Sequence, residues 1–234
     1  MKIAGLQKMT LLDFPGKVAC TVFLQGCNYR CPFCHNSSLL PPAGDALIDE
    51  EALLAFLGKR RGLLDGVCVS GGEPTLSPEL PALLEKLKGL GFLTKLDTNG
   101  SRPEVLRALA AQGLLDYVAM DVKNSPARYG ETVGLPGYDL TAVEESLRFL
   151  LSGSLPFELR TTVVHQLHTP EDMDEMGRWL ASLVPECRPE NLFLQTFVDR
   201  ESVLRPGLSP CSPEETLALQ SALAPYVGQV LLRG

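Results

Sequence analysis

Apolar and β-branched residues come in short runs along this chain. Polar turns separate them, followed by longer stretches with apolar residues every three or four positions. The runs are Val18–Leu24, Gly66–Val69, Phe92–Leu96, Tyr117–Val122, Phe157–Val164 and Asn191–Phe197. Their length and β-branched content predict strands. Val227–Leu232 is a candidate for a further one.

Helix starts are marked between the runs. Ser77-Pro78-Glu79 and Thr169-Pro170-Glu171-Asp172 place a capping hydroxyl before a proline at the first helical position. Ser212-Pro213-Glu214-Glu215 adds a carboxylate three residues after the cap, and Ser101 to Glu104 and Thr141 to Glu144 share that capping-box spacing. Asp49 is placed to cap a helix through Leu57. Strand and helix alternate six times, which predicts an α/β fold on a parallel sheet, either open or curved into a barrel. Eight units take about 250 residues, so a partial (β/α)6 TIM-like barrel fits better. Pro41-Pro42-Ala43-Gly44 reads as the exit from a long loop, and no linker or internal repeat divides the chain. The expectation is one domain over 1–234, with 1–17 as an N-terminal extension and 25–36 as a loop of its own.

Composition narrows the function. Of 234 residues, 45% are hydrophobic and 21% charged, an ordinary globular balance. The apolar runs are too short to span a bilayer and no secretory leader is visible, so a cytoplasmic protein without membrane contact is expected. Twenty-one basic against 28 acidic residues give a charge of −7. Lys59-Arg60-Arg61, the one basic cluster, sits where a helix should end and complements its dipole. Nucleic-acid phosphates are therefore not an expected partner.

Seven cysteines need another explanation than disulfides, because the number is odd and the expected compartment reducing. Cys27, Cys31 and Cys34 have the spacing C-x3-C-x2-C directly after the first predicted strand, at the end of a βα sheet where active sites collect. Three thiolates on one loop can hold three irons of a [4Fe–4S] cube and leave the fourth open to a small molecule. Structural zinc wants four ligands, and His35, adjoining Cys34, is poorly placed to be the fourth. A redox dithiol explains Cys31-Pro32-Phe33-Cys34 but not Cys27. Cys20 and Cys68 read as small core hydrophobes, and Cys187 and Cys211 stand alone.

This motif resembles the signature of radical S-adenosylmethionine (SAM) enzymes. The wider stretch, Thr10-Leu11-Leu12-Asp13-Phe14-Pro15-Gly16 through Asn36, looks like their glycyl-radical-enzyme activating branch, anaerobic ribonucleoside-triphosphate reductase activating proteins above all. The resemblance runs from about Gly5 to Phe197. It implies one [4Fe–4S] cluster on Cys27, Cys31 and Cys34, and SAM chelating the open iron. Reductive cleavage of SAM then yields a 5′-deoxyadenosyl radical that takes a hydrogen from a glycine of the partner. The implied partner is a glycyl radical enzyme, and the implied electron donor a flavodoxin or ferredoxin.

Other strand ends carry similar likenesses. Ser70-Gly71-Gly72-Glu73-Pro74 can be a plain βα turn, but it is similar to the family's G-G-E-P loop, which implies that Gly71, Gly72 and Glu73 hold the SAM amino group. Asp97-Thr98-Asn99-Gly100 and Asp121-Val122-Lys123 are similar to segments that hold the SAM carboxylate, in some relatives with a monovalent cation. Arg160, inside an apolar strand, wants a buried anion: that carboxylate, or a neighbour such as Asp121. Phe33, Cys34 and His35 are implied to lie against adenine. No protein acid or base is needed for the first step.

Some features depart from the branch. Pyruvate formate-lyase activating enzyme has a SAM-contacting histidine after its sixth strand, where this chain has Leu194-Gln195-Thr196-Phe197-Val198. His165 and His168 have an H-x-x-H spacing that could suggest a metal site, but with no carboxylate in a zincin arrangement they read as loop residues. Residues 35–69 contain only Cys68, so the ferredoxin-like insert of larger relatives is not expected. Two alternatives remain: a radical SAM enzyme acting on a small molecule, like 7-carboxy-7-deazaguanine synthase, and a non-catalytic metal-binding module.

Overall fold

A computed structural model of the chain describes residues 2–40, 47–153 and 155–233. The expected loop exit at Pro41–Gly44 lies outside these residues. Eight strands follow in sheet order: β1 (Ile3–Thr10), β2 (Ala19–Leu24), β3 (Gly66–Gly71), β4 (Leu93–Thr98), β5 (Tyr117–Asp121), β6 (Phe157–Val163), β7 (Asn191–Thr196) and β8 (Gln229–Arg233). The helices are α1 (Glu50–Gly58), α2 (Leu80–Gly89), α3 (Pro103–Ala111), α4 (Pro126–Thr132), α5 (Thr141–Ser152), α6 (Pro170–Leu183) and α7 (Pro213–Leu223). All seven predicted apolar runs are strands, so the α/β class is the one observed.

The chain forms two compact units. The first comprises Met1–Asn28, Ser38–Thr98 and Glu104–Ala119. Here β2 and β3 pair in parallel from Ala19 opposite Gly66 to Leu24 opposite Gly71, and β3 pairs in parallel with β4. Val22, Val67, Cys68, Val69 and Leu96 are fully buried, which is why these strands read as continuous apolar runs rather than alternating ones. Leu53, Leu57, Leu83, Leu84 and Leu87 supply the buried side of the helices. β1 was not visible as a strand, and it runs antiparallel to β2 with two irregularities in register. Its inner residues, Gln7, Lys8 and Met9, are exposed, so no apolar run marks it.

The second unit comprises Tyr29–Ser37, Asn99–Pro103 and Met120–Gly234. β6, β7 and β8 pair in parallel, with Leu159, Leu192 and Val230 in one row and Thr161, Leu194 and Leu232 in another.

Three caps form as expected. Asp49 accepts from the Ala52 amide, and Thr169 with Asp172 and Ser212 with Glu215 form complete capping boxes. Two differ. The Ser77 hydroxyl donates to Glu79 at 2.9 Å while α2 begins later, at Leu80. Thr141 lies inside α5, where its amide donates to Asp139 at 2.9 Å. In both places the local side-chain bond competes with helix capping and wins.

Candidate active site

In the first unit, the end of β3 is pressed against the end of β2. Gly71 has φ +125°, and a Cβ there would lie 2.2 Å from the Leu24 carbonyl. A Cβ on Gly72 would lie 2.0 Å from the Gly26 carbonyl. The Gly72 amide donates to Leu24 at 3.0 Å and the Glu73 amide to Gly26 at 2.7 Å. The two glycines are therefore required by a protein neighbour: they clasp the backbone from which the cysteine loop departs, one residue before Cys27.

Glu73 is buried, and its Oε1 accepts from the Thr75 amide at 3.1 Å, the Thr75 hydroxyl at 2.5 Å and the Thr98 hydroxyl at 2.8 Å. The Gly-Gly-Glu-Pro turn and the end of β4 thus meet at one carboxylate oxygen. Asp97 is paired with Lys95, whose ammonium lies 2.7 Å from Oδ1 and is fully buried. That lysine partner was not foreseen, although a lysine in a run of buried strand residues is itself a signal of a nearby anion.

In the second unit, Asp121 at the end of β5 holds two cations. Its Oδ1 accepts from Arg160 Nε at 2.9 Å and its Oδ2 from Lys123 Nζ at 2.8 Å. Burial opposes the Lys123 charge, but the Asp121 carboxylate, with Cys31 and Tyr129, outweighs it and holds the ammonium well above its ordinary range. The Val122 amide donates to the Arg160 carbonyl at 2.8 Å and fixes the segment against β6. Glu158 pairs instead with Arg233.

The cysteine loop in this unit is held on several sides. The Arg30 amide donates to Val133, and Gly134 packs so closely that a Cβ would lie 2.2 Å from the Arg30 carbonyl. Tyr29 donates its hydroxyl to Tyr138 at 2.8 Å. The Arg205 amide donates to Pro32 at 2.9 Å, and the Ser37 hydroxyl to the Ser202 carbonyl at 2.5 Å. His35 stacks on Phe197 with ring centroids 5.3 Å apart, and its buried Nε2 has no hydrogen-bond partner. Phe197 is the residue that stands after β7, where a histidine was looked for.

None of the seven cysteines is in a disulfide. Burial pushes Cys20 up to about 12 and Cys211 up to about 11, as inert core residues require. Burial also raises the Cys34 thiol, against the Asn36 amide and the Lys123 charge, which draw it down. Among the described residues, no three His, Cys, Asp or Glu side chains are gathered as ligands of a single ion. The corners of an iron–sulfur cube ask for something else, one thiolate on each of three irons. Three cysteines in one short stretch, the largely enclosed Lys123 ammonium and the orphan imidazole nitrogen of His35 fit an anionic cluster with a polar organic ligand beside it.

The model of the Radical SAM superfamily matches residues 21–180. A Methanocaldococcus jannaschii protein assigned as a glycyl-radical enzyme activating enzyme is 31% identical over 191 residues, which cover 79% of this chain and 76% of that protein. The 7-carboxy-7-deazaguanine synthase of Thermococcus kodakarensis is 35% identical over 141 residues, 60% of this chain and 52% of that protein. A domain of a pyruvate-formate lyase-activating enzyme from Bacteroides vulgatus has the same fold, with a TM-score of 0.58 at 21% identity over 72% of this chain and 99% of that one.

Proposed function

The chain belongs to the radical SAM superfamily, and from that premise we propose that it activates a glycyl radical enzyme. Cys27, Cys31 and Cys34 would hold one [4Fe–4S] cluster. Gly71, Gly72, Glu73, Asp97, Thr98, Asp121, Val122, Lys123 and Arg160 would form the SAM site, with Phe33, Cys34 and His35 against adenine. When bound and reduced by one electron from the donor, the cluster with SAM would supply reductive C–S cleavage and hydrogen-atom abstraction from the partner's glycine.

The observation that carries this reading is the trio of Asp121, Lys123 and Arg160. Two cations gathered at one carboxylate suit the carboxylate of an amino-acid-like ligand, and the Lys123 charge draws the Cys34 thiol down against its burial. Glu73 supports the same ligand indirectly, by fixing the Gly-Gly turn. A monovalent cation is less needed here, because protein cations already face Asp97 and Asp121.

The partner favoured by the Leu11-Leu12-Asp13-Phe14-Pro15-Gly16 lead-in is anaerobic ribonucleoside-triphosphate reductase, with a flavodoxin or ferredoxin as donor and the cytoplasm as compartment. The likeness to the Methanocaldococcus protein, which spans most of both chains, supports the activase class. The likeness to the deazaguanine synthase supports a small-molecule substrate instead. Anaerobic incubation of the reduced protein with SAM and each candidate partner decides, read by electron paramagnetic resonance. A glycyl radical doublet on the reductase is the expected result. A doublet on another enzyme reassigns the partner, and turnover of a deazapurine precursor without any doublet overturns the activase reading.

A further inference from the structure

His168 belongs to the His165-x-x-His168 pair that the chemistry above leaves unused, and the two histidines have different surroundings. His165 is half exposed and pairs with Glu215 at 2.7 Å. His168 is 4% exposed. The Val164 amide donates to its Nδ1 at 3.0 Å, so Nδ1 is an acceptor and the ring proton sits on Nε2. Nε2 lies 2.9 Å from the Lys123 carbonyl, to which it donates. Burial keeps the imidazole below its ordinary range, which agrees with a neutral ring. The edge of that ring meets Phe33, with centroids 6.5 Å apart and planes at 71°.

One imidazole therefore touches two parts of the candidate site that are far apart in sequence. Phe33 sits between Cys31 and Cys34. Lys123 carries the ammonium of the Asp121 trio, and its carbonyl would otherwise need another buried donor. The chain reaches His168 through a fixed path: Leu167 and His168 donate their amides to Val164, and the next residue, Thr169, caps α6. The ring is thus held by Val164, directly after β6, and the backbone that carries it leads into the cap of α6.

We propose that His168 is a positioning residue for SAM, setting the Asp121-Val122-Lys123 segment against Phe33 of the cysteine loop. The proposal rests on the SAM site described under the proposed function. A residue that acts this way need not touch the ligand. It sets the place of a cation and an aromatic ring that do, and small displacements of such groups weaken binding steeply.

The test uses the reconstituted holoprotein under anaerobic conditions. SAM affinity is read from its perturbation of the reduced cluster's paramagnetic resonance spectrum, together with iron content. His168→Phe keeps a flat ring beside Phe33 but removes both hydrogen bonds. It is expected to raise the SAM Kd about ten-fold at unchanged iron content. His168→Gln can still donate and accept, and is expected to stay within about three-fold of wild type. A Phe variant that loads iron and binds SAM like wild type overturns the proposal.

If His168→Phe does not load iron, the cycle of His168→Asn, which keeps a polar atom near the Nδ1 place but is too short to reach the Lys123 carbonyl, with Lys123→Ala decides. Effects through Lys123 should be less than additive, and full additivity overturns the proposal. A wild-type protein that loads its cluster but shows no SAM perturbation instead refutes the SAM site itself, whatever the variants do.

Discussion

At the scale of single residues, what matters is which groups are tied to each other before any ligand arrives. Arg160 shows this: its guanidinium, only 12% exposed, is committed to Asp121. Arg160→Leu should cost about 1–3 kcal/mol in denaturant unfolding, as a buried charge-assisted bond is lost, and should raise the SAM KM. Gly72→Ala is a steric test. Its methyl would collide with the Gly26 carbonyl, so the loop start must shift, and lower iron content with a lower Tm is expected. The sequence made an anion for Arg160 legible, because an arginine in an apolar strand has few alternatives. It did not show what the glycines clasp. Gly71 and Gly72 suggested a close approach to a ligand, whereas the close neighbour is the end of β2, a tertiary partner that no local pattern encodes.

Among the elements, legibility tracked burial. β2 through β6 announced themselves by apolar runs because most of their residues are enclosed, β7 and β8 by apolar runs in which buried and less buried positions mix, and α6 and α7 by complete capping boxes. β1 was hidden because its middle is exposed and polar, and α4 because seven residues opened by Ser125-Pro126 carry little periodicity. The α7 cap gives a direct measurement. Ser212→Ala removes the acceptor for the Glu215 amide, and should lower stability by about 1 kcal/mol in chemical denaturation. Glu215→Gln, which keeps most of the box geometry, should cost less.

Across the whole molecule, chain order and the proposed cluster site are out of step. The cysteine loop occupies residues 25–36, yet the groups that hold it come much later: Val133, Tyr138, His168, Phe197, Ser202 and Arg205. Translation proceeds from the N-terminus, and domains fold as their parts become available. The three thiols therefore leave the ribosome well before their scaffold exists. With the cluster on this loop, as proposed, iron insertion would await a nearly finished chain, and the nascent loop would be exposed to oxidation in the interval. A chain cut before Phe197 should take up little or no iron during anaerobic reconstitution, whereas one cut after Arg205 keeps every loop contact named here and should take up more. If both fragments loaded equally, the loop would owe nothing to the late segment, and synthesis order would not govern maturation.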